Sequence, residues 1–470
     1  MEETQSQKDN IGEIIEEFAR SGDMTILRTL LVDLHPADIA EVIVRADRDL
    51  RQVILGLLDT SKAAEVLVEL DSTVRHDVLQ LLDEARVAEI IGTMESDDAT
   101  DVIGELEDDV AQRILGALPR EEFKEVKTLL GHDEETAGGI MALEIVVVDK
   151  DKTALEAQEV LRRKADEVDD VYNIYVVDNQ GIFKGAVSLK DLVLADPQTR
   201  ISQIMDDEAI SIKLETDQEE VANIFHKYDL VAAPVVDQQG RLVGRITVDD
   251  VLDVVQEEAS EDITMMAGIT DESIRIPSIF KVSGVRLPWL LVAFMGELVS
   301  AGVMMHFEAS VAQVFVAAIF IPLIMAMGGN MGIQSSTVVI RGLATGDIHL
   351  RDTGQRLMRE VSVTFLNGFV IVFLLIGVVT LWSHLPISGK VLSTPAFGEV
   401  LGIPIFGMIL GFALLAVMFN AAFMGTLLPF LFKRLGFDPA IATGPFITTT
   451  NDVLGLLVYF GIITGSLGWF

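Results

Sequence analysis

The chain has 470 residues, 72 acidic and 35 basic, for a formal net charge of −37, yet half of it is hydrophobic and its mean hydropathy is +0.41. Charge and apolar residues are segregated: from Ser283 onward eight acids balance eight bases, so residues 1–282 carry the whole excess. Such a balance argues against nucleic acid as a partner, because phosphate binding needs clustered cations, and favours cations as ligands; the absence of cysteine excludes disulfides, thiolate metal sites and cysteine nucleophiles.

Met1–Asn10 is polar and acidic, so no cleavable signal peptide is expected. Residues 30–130 then carry an internal repeat. Ala40-Glu41-Val42-Ile43, Ala64-Glu65-Val66-Leu67 and Ala88-Glu89-Ile90-Ile91 recur every 24 residues, with Asp77-Val78-Leu79, Asp101-Val102-Ile103 and Arg113-Ile114-Leu115 at intermediate steps of 12. One short amphipathic helix per unit predicts an α-solenoid. Asp97 and Asp101, four apart, share a helix face and repel unless a cation intervenes; a merely solvated acidic face is the alternative.

A second repeat, at interval 59, occupies residues 138–255. Val176-Val177-Asp178-Asn179-Gln180-Gly181 with Gly185 matches Val235-Val236-Asp237-Gln238-Gln239-Gly240 with Gly244, and Ser188-Leu189-Lys190-Asp191 matches Thr247-Val248-Asp249-Asp250. Each copy predicts helix, strand, Asp-x-x-Gly turn, strand, Ser/Thr-x-x-Asp and helix, which resembles a tandem pair of CBS domains, an α+β module. That resemblance implies adenine-nucleotide binding at Ser188, Asp191, Thr247 and Asp250; simple helix N-caps are the alternative. An acidic helix over Gln256–Asp262 follows, with Glu258, Glu261 and Asp262 clustered on one side. Acid there does not help anchor the chain to an anionic leaflet.

Five apolar stretches are long enough to span a bilayer, near Leu287–Met305, Val311–Met327, Val361–Leu381, Leu401–Phe423 and Val453–Phe470, with the second and fourth expected to run on past those limits. Arg341, Arg351, Arg356 and Arg359 lie between spans two and three, and Lys433 and Arg434 between four and five. The other two loops offer only Lys390, so the acidic half is expected in the cytoplasm and the C-terminus outside. Charges within spans are the functional suspects. Asp452 follows Thr448-Thr449-Thr450-Asn451 and reads either as an interfacial helix cap or as part of a water-filled cavity. Glu297, midway along the first span, reads more simply as a protonated or paired structural carboxylate. Span two is expected to end in Gly328-Gly329-Asn330-Met331-Gly332-Ile333-Gln334-Ser335-Ser336-Thr337, whose glycines, amides and hydroxyls suit close helix packing or a hydrated path. One carboxylate in a polar, wet path suits a hard, strongly hydrated divalent ion such as Mg²⁺, and five spans are few for one pore, so a homodimer is expected.

The order of parts resembles the MgtE family of Mg²⁺ channels, most specifically in Asp38-Ile39-Ala40-Glu41, Glu134-Glu135-Thr136-Ala137-Gly138-Gly139-Ile140-Met141, Gly328–Gly346 and Asn451–Tyr459. The resemblance divides the chain into an acidic helical-repeat domain (1–132), tandem CBS domains (133–255), a connecting or plug helix (256–282) and a transmembrane domain of five helices (283–470), assembled as a homodimer in the inner membrane. It implies a hydrated Mg²⁺ at Asp452 and a path including Gly328, Gly329, Asn330 and Asn451. It implies also a cytosolic Mg²⁺ sensor that closes the pore, with carboxylates at Glu65, Asp97, Asp101, Glu219, Asp229, Asp250, Asp253, Glu258, Glu261 and Asp262. Ile333 and Gly444 stand where the family commonly has asparagine, and Met141 is followed by Ala142-Leu143 rather than a Thr-containing turn. The competing readings are a channel or carrier for Co²⁺ or Mn²⁺ and a nucleotide-controlled membrane receptor. No nucleophile–base pair, P-loop or metal-hydrolase spacing suggests an enzyme.

Overall fold

The structure is a computed structural model that describes residues 14–15, 17–19, 21–165, 168, 171–267, 269, 279–307, 315–383, 402–442 and 444–467. The expectations that rest on Met1–Asn10, on the start of the second apolar stretch at Val311 and on the Lys390 loop lie outside those residues. The chain forms two compact units, Met1–Val255 and Gln256–Phe470.

In the first unit, residues 24–129 form a row of short helices: α1 (Met24–Asp33), α2 (Pro36–Arg45), α3 (Arg48–Leu57), α4 (Thr60–Val68), α5 (Ser72–Leu79), α6 (Glu84–Ile91), α7 (Ser96–Gly104), α8 (Asp108–Ala117) and α9 (Arg120–Leu129). Their N-caps are Asp23, His35, Asp47, Asp59, Asp71, Asp83, Glu95, Glu107 and Pro119, so the step of 12 runs unbroken. Asp47, Asp59 and Asp83 accept from the backbone N–H groups of Leu50, Lys62 and Arg86 at 2.8–2.9 Å, satisfying donors that each helix start would otherwise leave open. Helices this short are marginal alone. They persist because alternate helices pack together, α2 on α4, α4 on α6 and α6 on α8, around a continuous core through Ile39, Ile54, Leu67, Val78, Ile90 and Val102. Burying each such side chain contributes about 1.5–3 kcal/mol.

The rest of this unit is a doubled α+β motif. In the first copy β1 (Val147–Asp149) pairs parallel with β2 (Asn173–Val177), which pairs antiparallel with β3 (Phe183–Ser188); α10 (Ala154–Lys164) and α11 (Leu189–Leu194) complete it. In the second, β4 (Ile212–Lys213), β5 (Ala232–Val236) and β6 (Leu242–Thr247) repeat the topology, with α12 (Gln218–Tyr228) and the long α13 (Val248–Met266). Even the register shift recurs, at Val176/Val177 and Val235/Val236. Asp178 accepts from the N–H of Gln180 and Ile182, and Asp237 from Gln239 and Arg241, each closing a turn whose glycine, Gly181 or Gly240, sits near φ +77°. The two turns then bond each other, Phe183 N–H to Gly240 O at 3.0 Å and Leu242 N–H to Gly181 O at 3.1 Å. Gly244 lets residues 141–142 lie against β6, since a Cβ there would sit 2.7 Å from Ala142 O.

Among the described residues of the second unit five helices are long and apolar enough to cross a membrane: α14 (Ile279–His306), α16 (Ile321–Ala344, preceded by the short α15, Phe315–Ile319), α17 (Thr353–Ser383), α18 (Gly402–Leu435) and α19 (Pro445–Leu467). They are called spans one to five below. Span four is the axis: spans two, three and five all pack along it, around Leu410, Leu414, Val417 and Ala421, while span one packs on span five.

Two expectations are corrected here. The glycine-rich segment does not end span two but lies inside it, because Ile324, Gly328, Met331, Ser335, Val339 and Leu343 keep one buried face in helical phase straight through. Its glycines admit close neighbours: Gly328 faces Val417 and Asn451, and Gly332 faces Gly425 and Ile447. Span five begins at Pro445, so Asp452 lies about two turns inside the helix and is not its cap.

Candidate ion path and cation sensor

The acidic helix α7 starts against the second CBS copy. Ser96, buried, receives a reach-across cap: its N–H and hydroxyl donate to the two oxygens of Glu144 at 3.1 and 2.8 Å, and its hydroxyl accepts from Leu143 N–H at 2.9 Å. Beside it Arg245 of β6, only 4% exposed, donates to both oxygens of Glu95 at 2.7 and 3.0 Å. These joints press the next residues toward the start of α13. Asp97 is buried, and burial, then the charges of Asp250, Asp98 and Glu95, push its carboxyl well above the ordinary range. Burial and the Asp250 charge push Asp98 up to about 7. Asp250 is raised to about 6 by burial, although Thr247 holds its carboxylate through O–H and N–H bonds of 2.6 and 3.1 Å. Three acids thus sit where each opposes ionisation of the others, an arrangement whose repulsion a cation would relieve.

The remaining sensor expectations scatter within this unit. Asp101 is exposed on α7, though its charge still reaches Asp98, and Glu65 is exposed on α4, bonded by Ser61 at 3.5 Å. Glu219 and Asp229 lie at opposite ends of α12, about 15 Å apart at the helical rise. Asp229 closes that helix in a left-handed conformation, φ 52°. Asp253 is raised by burial and by Asp249. Among the described residues no three acids or histidines converge closely enough to ligate one bare ion directly. Asp98 was missed in the sequence; its adjacency to Asp97 was the available signal.

At the nucleotide positions the two copies agree. The Ser188 hydroxyl donates to Asp191 at 2.6 Å and caps α11, as Thr247 donates to Asp250 at 2.6 Å. Each pair therefore satisfies itself locally, and Asp250 belongs to both proposed sites.

In the second unit two intramembrane carboxyls meet, Glu297 of span one lying beside Asp452 of span five. Gly296, one residue earlier, allows it, since a Cβ there would strike Thr449. Asn451 is fully buried, with both amide atoms lacking a hydrogen-bond partner among the described residues, and its head lies against Gly328 of span two. Gly328 is buried, Gly329 half-buried, and Asn330 exposed on the opposite side, in line with Gln334 and Arg341. A further contact had no local sequence signal. Asp262 of α13 is raised to about 6 by burial and by the charges of Asp438 and Glu258, with Lys433 opposing. Asp438, raised by burial, caps the turn that leads into span five through Ala440 N–H at 2.8 Å. Glu258 and Glu261 are half-buried on the same helix.

Family models match along the chain: the intracellular N domain of MgtE over residues 34–135, CBS domains over 137–197 and 201–257, and the MgtE divalent cation transporter over 321–462. The magnesium transporter MgtE of Thermus thermophilus is 37% identical over 347 residues, 72% of this chain and 71% of that one. The chain belongs to the MgtE family. The MgtE of Enterococcus faecalis is 35% identical over 74% of this chain and 73% of its own. Among solved structures, the cytosolic domain of the Mg²⁺ channel MgtE in complex with ATP superposes with a TM-score of 0.50 at 39% identity, over 52% of this chain and 99% of that one. The soluble part of a magnesium transporter superposes at 0.51 and 31% identity, over 54% and 99%. This MgtE chain is thus a membrane transporter with an MgtE N domain, a CBS pair and five apolar helices.

Proposed function

We propose that this chain is a Mg²⁺-selective channel in the inner membrane of a prokaryote, homodimeric, admitting Mg²⁺ and closing when cytosolic Mg²⁺ binds its acidic domains. The observation that carries the reading is the polar stripe of span two. Asn330, Gln334, Thr337 and Arg341 recur at helical spacing on the side turned away from span four, with Asn330 and Gln334 exposed. Amides and hydroxyls facing lipid are costly, so the stripe calls for water, and a second copy would close a wet path around it. Mg²⁺ dehydrates reluctantly and is commonly held through its waters by one or two carboxylates; Asp452, seated against Glu297, is the charged point of that path.

The sensor follows from the buried acids. A hydrated Mg²⁺ can bridge carboxylates that do not converge on one point, and neutralising Asp97, Asp98 and Asp250 would favour the docked arrangement of α7 on the second CBS copy. The ion acts only through its greater affinity for that state. Glu65, Asp101, Glu219, Asp229 and Asp253, and on the connecting helix Glu258, Glu261 and Asp262 with Asp438, would supply the remaining charge. Solenoid stacking of α1–α9, domain limits at 132, 255 and 282, and a cytoplasmic N-terminus complete the proposal. Exposed Val193, Leu194, Leu252 and Val255, on corresponding helices of the two CBS copies, suit a dimer face. Because a relative's cytosolic domain has been solved with ATP, an adenine nucleotide is the proposed ligand at Ser188, Asp191, Thr247 and Asp250.

The test is uptake into proteoliposomes of wild type and Asp452→Ala at low and high internal Mg²⁺, with Co²⁺ and Mn²⁺ in parallel. Mg²⁺ flux lost in the variant and at high internal Mg²⁺ supports the proposal. Equal flux of all three ions removes selectivity, and no flux under any condition favours a receptor.

A further inference from the structure

Spans two and three both pack along span four, but among the described residues they make little direct contact with each other. A polar link joins them. The Ser335 hydroxyl, fully buried on span two, donates to Glu360 of span three at 3.0 Å, and the other oxygen of Glu360 accepts from Arg356, one turn earlier, at 2.9 Å. Glu360 is 7% exposed, and Thr364, one turn later, spends its own hydroxyl on the Glu360 carbonyl. A buried charged pair is costly to leave incomplete, so Arg356 fixes where the Glu360 carboxylate sits, and the carboxylate fixes where Ser335 points.

Ser335 adjoins Gln334, which faces the other way. Helical geometry ties the two: whatever pins Ser335 inward turns Asn330, Gln334 and Thr337 outward. Ser336, equally buried, offers a built-in contrast, because its hydroxyl bonds to Ile333 O of its own helix at 2.9 Å rather than across to span three.

We propose that Glu360 is a positioning residue for the ion path, setting through Ser335 the rotation of span two that presents Asn330, Gln334 and Thr337 to water. The inference rests on the polar stripe facing the path, and it adds the residue that holds the stripe there.

The chain has no cysteine, so single thiols can report the rotation in the full-length protein in membranes. Gln334→Cys and Met331→Cys, on the outward and buried faces, are labelled with a membrane-impermeant thiol reagent, each alone and with Ser335→Ala, Ser336→Ala, Glu360→Gln or Glu360→Leu. The expected result is fast labelling at 334 and slow labelling at 331, with the ratio falling roughly fivefold in Ser335→Ala, the factor by which one lost hydrogen bond moves an equilibrium. Ser336→Ala leaves the ratio unchanged, Glu360→Gln lowers it part of the way because its single amide oxygen replaces only one of the two acceptors used by Ser335 and Arg356, and Glu360→Leu collapses it. A wild-type contrast that survives Ser335→Ala, or that Ser336→Ala reduces as much, overturns the positioning role alone. Equal labelling at 331 and 334 in the wild type overturns both that role and the wet-path reading beneath it.

Discussion

Replacing Asp250 by asparagine should tighten the metal-free docking of α7 on the second CBS copy, although it removes a proposed Mg²⁺ ligand. The shape of the site is preserved, since the amide oxygen can still accept from the Thr247 hydroxyl and N–H as the carboxylate does at 2.6 and 3.1 Å. What disappears is a charge facing Asp97 and Asp98. Asp98 rises from an ordinary 3.8 to about 7, which at about 1.4 kcal/mol per pH unit makes its ionisation cost about 4 kcal/mol in the docked state. Burial is the larger cause, so Asp250 accounts for at most about half, or about 2 kcal/mol. A gain of about 2 kcal/mol is roughly a thirtyfold shift toward the docked state. The assay is limited proteolysis of the full-length protein at Glu134 and Glu135, between α9 and β1, at pH 8 in chelator and then in Mg²⁺. The variant should be cut more slowly than wild type in chelator and gain less from Mg²⁺. If it is cut as fast as wild type without metal, the claim that these acids repel in the docked state is wrong.

The same acids predict a pH dependence. Carboxyls raised on docking favour the docked state when protonated, so this stabilisation is full below about pH 4 and is lost as pH rises through about 6 to 7. In chelator, proteolysis should therefore slow between pH 8 and pH 5.5, and Mg²⁺ added at pH 6 should release protons, read from the buffer dependence of the calorimetric heat; a pH-independent rate with no proton release would contradict this. Arg245→Met removes the charge-assisted hydrogen bonds from Arg245 to Glu95, a loss of about 1.5–3 kcal/mol. It should raise the Mg²⁺ concentration that half-closes the channel by at least tenfold, and an unchanged midpoint in flux assays would show the joint to be irrelevant to gating. Asp452→Ala should abolish Mg²⁺ flux while Mg²⁺ still protects residues 1–255 from proteolysis; losing both together would mean that the substitution unfolds the protein. Asp438→Asn should weaken closure by Mg²⁺ without lowering maximal flux, and a drop in flux alone would place Asp438 in the path instead.

Whatever is periodic was legible before the structure. The 24- and 12-residue spacings carried the repeated apolar faces of the short helices, and the 59-residue spacing carried the order of elements, the turns and the helix-start pairs of both CBS copies, because local hydrogen bonds such as Asp237 to Arg241 N–H are written in adjacent residues. Long-range joints left no such trace. Arg245 and Glu95 are 150 positions apart, Ser96 and Glu144 are 48 apart, and neither pair differs in sequence from ordinary surface charge. Spacing by four selected Asp97 and Asp101 as a pair, whereas the helix start is turned so that Asp97 and Asp98 meet Asp250. Hydropathy located the apolar runs but misjudged two ends, since a polar stripe along one side of a helix lowers a window average while the buried side continues unbroken through Gly328–Leu343. Glu297 read most simply as a structural carboxylate, and only the fold brings it to Asp452.

The axial place of span four has a consequence for biosynthesis. The ribosome delivers the chain in order, so residues 279–383 enter the bilayer before Gly402–Leu435 exists to receive them. During that interval spans two and three lack the shared surface on which both finally lie, and the Ser335–Glu360 bond is a contact they can make with no help from later residues. Assembly of the membrane unit is therefore a late event that begins when the fourth helix inserts, and a nascent chain arrested before residue 435 would present a half-built bundle, with amides and glycines bare, to the cell's insertion and quality-control machinery.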